Sequence, residues 1–159
     1  MRSPDTMSTP QRTCRREYRQ RVDGGTPFSS DRHRALRAVI DALRRHPVVT
    51  AARGQPPSTF TEVSATLAPH RWGYDTADAT LRVTWQPLDQ PEFAFHYSED
   101  SFDCGWHREP NPHVDGDAHY QERVGTDEYR YEPIRFDGET APELTWEVME
   151  RLRKRLDGR

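Results

Sequence analysis

Length, composition and charge narrow the classes of protein that this chain can form. Its 159 residues suffice for one hydrophobic core but not for two substantial domains. Only 33% of the residues are hydrophobic, and no apolar run approaches the ~20 residues that cross a bilayer, so we expect a cytoplasmic protein without membrane contact. The two cysteines, Cys14 and Cys104, lie far apart and are expected as reduced thiols.

Charge is divided unevenly along the chain. Residues 1–59 contain 12 arginines and 5 acidic residues, whereas residues 60–159 contain 11 basic and 21 acidic residues. The acidic part of the chain, residues 60–159, repels polyanions. Contact with RNA would therefore require the basic N-terminal part or a local cluster of basic residues.

Residues 1–28 are predicted to form a disordered, Arg-rich tail. They combine repeated Pro and Gly with a cluster of arginines and show no apolar periodicity. Either Met1 or Met7 could be the start of the protein. Residues 29–159 are then expected to form a single α+β domain.

The first helix is predicted to begin at Ser29 or Ser30, either of which can cap it, and to end at His46 because Pro47 follows. An apolar stripe with helical spacing supports this prediction. The stripe consists of Leu36, Val39, Ile40 and Leu43.

Four segments that follow alternate apolar and other residues with a period of two, which predicts half-buried strands. Their short connections favour an antiparallel meander over helical crossovers. A fifth strand is expected at Tyr129–Phe136. The apolar positions are Val63, Ala65 and Leu67; Leu81, Val83 and Trp85; Phe93, Phe95 and Tyr97; and Phe102, Cys104 and Trp106.

A second helix is predicted after Thr140, which forms a capping box with Glu143, and Gly158 can end it. Leu144, Val148, Leu152 and Leu156 form its apolar stripe. The predicted fold is therefore α+β, with an antiparallel meander of four to five strands and both helices on one face.

The pairing of the third and fourth predicted strands places histidines on one face. A two-residue turn at Glu99-Asp100 would pair Tyr97 with Phe102 and put His96 opposite Asp103. His107 would lie further along the same non-core face. A one-residue slip in register would exchange the two faces.

The stretch from His96 to His119 is the candidate functional feature, and three interpretations of it stay open. In the first, His113 and His119 act as general acid and base in RNA cleavage, with Arg108 against the phosphate. Pro110 and Pro112 would stiffen the loop that carries His113.

In the second interpretation, His96, Cys104 and His107 are ligands of a divalent metal ion, although their spacing is not that of a common zinc motif. Cys104 would instead be a small core residue if it faces Phe95. In the third interpretation, the histidines only shape a polar surface loop, and the protein has no cofactor.

The segment from Phe102 to His113 resembles a family of small uncharacterised proteins from halophilic archaea. Members carry an aromatic-x-Cys-x-Trp run, then His-Pro-Asn-Pro-His, then a His-aromatic-His pair. The chain departs from this pattern at Glu109, which replaces a histidine, and at Gln121, which replaces another. The resemblance covers residues 30–156 and leaves His113 and His119 as matched positions.

More distantly, the chain is similar to TumE-like toxins of prokaryotic toxin–antitoxin modules. This resemblance implies a toxin-like, ribonuclease-like action on RNA and a small DNA-binding antitoxin or regulator as partner. The alternative function is that of a non-catalytic binding or regulatory protein in which the histidine-rich loop is structural or binds a metal.

Overall fold

The computed structural model of this protein describes residues 27–159, so residues 1–26 of the predicted tail lie outside the described residues. Within that range the structure contains two α-helices, seven strands and one short 3-10 helix at Pro69–Trp72. In chain order the helices and strands are α1 (Pro27–Arg44), β1 (Val49–Gln55), β2 (Glu62–Leu67), β3 (Ala79–Gln86), β4 (Glu92–Glu99), β5 (Phe102–Arg108), β6 (Ala118–Arg123), β7 (Tyr129–Pro133) and α2 (Ala141–Asp157).

The strands form one antiparallel sheet in which each strand pairs with the next along the chain, from β1 to β7. The predicted α+β meander between two helices is confirmed. The predicted count of four to five strands is wrong, because the described part of the chain has seven.

The two strands that sequence reasoning missed, β1 and β6, lack a clear alternation. In β1 only Ala52 is buried, since this strand lies at the edge of the sheet. In β6, three successive residues, Ala118, His119 and Tyr120, are all buried. Burial on both faces of β6 removes the period of two that identifies a half-buried strand.

The buried hydrophobic side chains of the described residues form one core between the helices and one face of the sheet, which we call the inner face. The helix stripes predicted from the sequence lie in this core, and α1 also packs against α2. The capping box of α2 is present: Glu143 N–H donates to Thr140 Oγ1, and Thr140 N–H donates to the Glu143 carboxylate at 2.9 Å. Both predicted helices are therefore present, although α1 spans Pro27–Arg44 instead of beginning at Ser29 or Ser30 and ending at His46, so residues 27 and 28 of the predicted tail are helical.

The hairpin between β4 and β5 has a different register from the predicted one. Tyr97 pairs with Cys104, Glu99 pairs with Phe102, and the turn lies at Asp100-Ser101. A turn moved by one residue shifts the pairing by two, so the apolar side chains stay on the inner face. His96 is opposite Gly105, but its Nε2 still lies 2.9 Å from Asp103 Oδ1 across a diagonal.

Neither helix found in residues 27–159 combines the length and the apolar character that a membrane span requires.

The core packing predicts the effect of shortening a side chain of α2. Leu152 is fully buried, so Leu152→Ala should lower the free energy of unfolding by about 2–5 kcal/mol. Leu88 is 44% exposed, and Leu88→Ala should change the free energy of unfolding by less than about 0.5 kcal/mol. Urea denaturation of both variants measures the difference, and equal losses would contradict the described core.

Candidate functional site

Two histidines face each other on the outer face of the sheet, the face opposite the core. His107 in β5 pairs directly with His119 in β6, and their ring centroids lie 4.9 Å apart. Their chain neighbours Trp106 and Tyr120 belong to the core, so alternation directs both imidazoles outward. Both histidines are nevertheless buried, and Asn111 of the following loop contacts His119.

Glu109 completes this cluster from the end of β5. It follows His107 by two residues, and its Oε1 lies 2.8 Å from His107 Nδ1. The hydrogen bond with His107 lowers the pKa of Glu109, although partial burial opposes the shift. Glu109 is therefore an ionised carboxylate at neutral pH, and it favours the His107 tautomer that carries a proton on Nδ1.

The environment of His119 favours its neutral form. Burial is the main cause that lowers its pKa, and the nearby His107 adds to the effect, while Glu109 and Gln121 oppose it. The backbone N–H of His113 donates to Asn111 Oδ1 at 2.9 Å, which leaves the Asn111 NH2 group facing His119 Nε2 at 3.1 Å. In this network Nε2 is the acceptor and Nδ1 carries the proton.

The other nitrogen of each ring is buried and makes no hydrogen bond of normal geometry with a described residue, although the Gln121 side chain lies close enough to His119 to act on its pKa. These atoms are His107 Nε2 and His119 Nδ1. The His107 ring lies back over Gly105, where an added Cβ would be only 2.5 Å from Nε2. Glycine at position 105 thus provides the space into which the imidazole folds.

This arrangement can bind a metal ion. His107, Glu109 and His119 each offer one ligand atom, and these three atoms lie within 4.8 Å of one another. Ligands of a tetrahedral zinc ion are separated by about 3.4 Å, given Zn–N bonds of about 2.1 Å. Small side-chain rotations would therefore bring the three ligand atoms to bonding distance.

The trio predicted as metal ligands, His96, Cys104 and His107, is not brought together. Cys104 points to the inner face, where burial raises the pKa of its thiol to about 12, whereas His107 points to the outer face. Successive residues in a strand point to opposite faces, which excludes a common site for Cys104 and the histidines. His96 lies beside Asp103 instead.

The structure brings together the two predicted acid–base histidines but not the arginine predicted to contact the phosphate. His113 is exposed and stacks on Tyr131 with ring centroids 5.2 Å apart, and His119 contacts the same tyrosine at 6.0 Å. Asn111 links the two histidines through hydrogen bonds. Arg108 instead stacks over Phe93 of the core, so it does not share the outer-face site.

Sequence reasoning missed Glu109 as a member of the site and treated it only as a departure from a motif. The spacing His107-x-Glu109 could have indicated it, since residues two apart in a strand share a face. The partner His119 could not be identified in this way, because β6 was not predicted as a strand.

Comparison of the chain with protein-family models, with curated proteins and with solved structures gave no match. The resemblances to haloarchaeal proteins and to TumE-like toxins therefore stay predictions.

The contact between His107 and Gly105 predicts that substitutions at these two positions have non-additive effects on the free energy of unfolding. Gly105→Ala should lower the free energy of unfolding by about 1–3 kcal/mol, because its methyl group would overlap His107 Nε2. In a His107→Ala background the same substitution should cost less, although the carbonyl of Phe95 at 3.1 Å keeps part of the strain. A double-mutant cycle measures the coupling, and equal losses in the two backgrounds would contradict it.

Proposed function

We propose that this protein binds one divalent transition-metal ion through His107, Glu109 and His119, and that it acts as a binding or regulatory protein with a metal-stiffened loop. The observation that carries the proposal is the convergence of two buried imidazoles and one ionised carboxylate at the ends of adjacent strands. Such burial of polar groups is costly unless a further interaction satisfies them.

The chemistry of the three side chains indicates the class of metal. Neutral imidazoles and a carboxylate are borderline to hard ligands, which suit zinc or ferrous iron better than calcium or cuprous copper. Three protein ligands leave a coordination position for water or for a fourth ligand. The Glu109 side chain is 45% exposed, which gives solvent access from its side.

The position of the ligands in the chain supports a role for the loop. His107 and Glu109 precede the loop between β5 and β6, and His119 follows it. A metal ion would therefore crosslink both ends of this loop, and binding through His119 Nε2 would take the place of the hydrogen bond from Asn111. Metal binding would stabilise one arrangement of the exposed segment around His113.

The metal proposal predicts a loss of bound zinc in site variants. Purified protein loaded with Zn²⁺ should hold one equivalent, and His107→Ala, Glu109→Gln and His119→Ala should each lower the affinity by about tenfold or more. Zinc should raise the Tm of the unchanged protein more than that of these variants. Inductively coupled plasma mass spectrometry and thermal unfolding measure the two effects.

His96→Ala and His113→Ala are the matched controls, because each removes one outer-face imidazole that is not in the ligand set. Both should keep the full zinc equivalent. A stoichiometry near zero in the unchanged protein, or equal losses in the control variants, would contradict the proposal. Substituting Co²⁺ should produce visible absorption bands of a tetrahedral site if the three ligands bind together.

A second candidate function is the toxin-like action on RNA, with a small DNA-binding antitoxin as partner. It is favoured by the exposed imidazole of His113, which stacks on Tyr131 and is linked through Asn111 to the neutral His119. An exposed imidazole can exchange protons with a substrate, whereas the buried His119 could reach one only after the loop moves.

Expression in growing cells separates the two functions. If His113 and His119 form an acid–base pair, His113→Ala should abolish growth inhibition and RNA cleavage while its zinc content stays unchanged. The Tyr131→Phe variant, which keeps the stacking ring, should retain activity. Absence of growth inhibition by the unchanged protein would contradict the toxin-like function and leave the metal proposal standing.

A further inference from the structure

A cavity of about 480 Å³ lies between the inner face of the sheet and the C-terminal turns of α2. Phe102, Trp106 and Tyr120 form its floor. Trp106 and Tyr120 alternate with His107 and His119 along β5 and β6, so the cavity and the proposed metal centre lie on opposite faces of the sheet.

Cations are concentrated around this cavity. Only 11 of residues 60–159 are basic, against 21 acidic ones, yet five of the 11 line the cavity. Among the described lining residues, Glu122 is the one with an acidic side chain. The five cations are Arg130, Arg151, Lys154, Arg155 and Arg159. Each of the five pairs with a glutamate, so a ligand would use the N–H donors that these pairs leave free.

Two of the guanidinium groups are held in place by aromatic rings and carboxylates. Arg155 lies 4.0 Å over the ring of Tyr120 and pairs with Glu132. Arg159 lies 4.3 Å over Phe102 and pairs with Glu99. A guanidinium has five N–H donors and a carboxylate engages at most a pair of them, so each arginine keeps donors for a further acceptor.

The cations at the rim of the cavity are more exposed. The side chain of Lys154 is 71% exposed, and its ammonium lies 3.5 Å from Glu150, which is a weak surface pair. The side chain of Arg130 is 52% exposed and contacts Glu122 at 3.0 Å. Both side chains can turn toward an incoming anion at small cost.

We infer that this cavity binds a small aromatic anion of the class of a nucleoside monophosphate. The base would stack on the guanidinium planes of Arg155 and Arg159, which already rest on aromatic rings. The phosphate would contact Lys154 and Arg130 at the rim. A free nucleotide and the terminal nucleotide of an RNA strand share this chemistry.

Calorimetric titration of the full chain with AMP tests the inference, with adenosine, inorganic phosphate and a short single-stranded oligoribonucleotide as separate probes. AMP should bind at least about tenfold more tightly than adenosine or phosphate alone, because only AMP offers both the ring and the anion. Tighter binding of the oligoribonucleotide than of AMP would identify the end of an RNA strand as the ligand. Tighter binding of AMP would identify the free nucleotide as the ligand.

The double variant Arg130→Gln, Lys154→Gln should weaken AMP binding about tenfold or more, since it removes both rim cations. Its matched control is Arg123→Gln, Arg153→Gln, which removes the same charge from α2 and from β6, the strand beside β7, but from residues that do not line the cavity. This control should bind AMP like the unchanged protein. Equal weakening in both variants, equal affinity for AMP and phosphate, or no AMP binding would overturn the inference.

Discussion

The pairing of β5 with β6 is the constraint on which the rest of the structure depends. Trp106 and Tyr120 lie opposite each other in this pair, with ring centroids 5.2 Å apart, and both are buried in the core. Because side chains alternate, burying these two large rings forces His107 and His119 together on the other face. A slip of one residue would place imidazoles in the core and aromatic rings on the outer face. Hydrophobic burial therefore sets the register, and the register creates the polar cluster.

The polar cluster is stabilised indirectly. An unsatisfied buried polar atom costs about 1–3 kcal/mol, and the outer face holds two such nitrogens among its described residues. The core between the sheet and the two helices offsets this cost, and the hydrogen bonds of Glu109 and Asn111 orient the rings. The formation of this cluster costs free energy, and packing of the core holds it in place. Such an arrangement is typical of a functional site rather than of a purely structural one.

The two faces of the sheet offer different chemistry at the same pair of strands. On the outer face, two imidazoles and a carboxylate are suited to a cation. On the inner face near the end of α2, arginines over aromatic rings are suited to an anion. The C-terminal end of a helix carries a partial negative charge, which helps to explain why Lys154 and Arg155 are stable there in an otherwise acidic body.

Local sequence determined both helices and the strands β2 to β5, because apolar periodicity, the Thr140–Glu143 capping box and short alternating runs act over a few residues. For Cys104 the sequence left both a metal-ligand role and a core position open, and the structure places it in the core opposite Tyr97. Only the tertiary structure decided that β6 is a strand, that Glu109 joins His107 and His119, and that Arg108 lies apart from them. These features depend on which strands pair and on a loop that buries the outer face, and such long-range contacts leave no periodic signal in the chain.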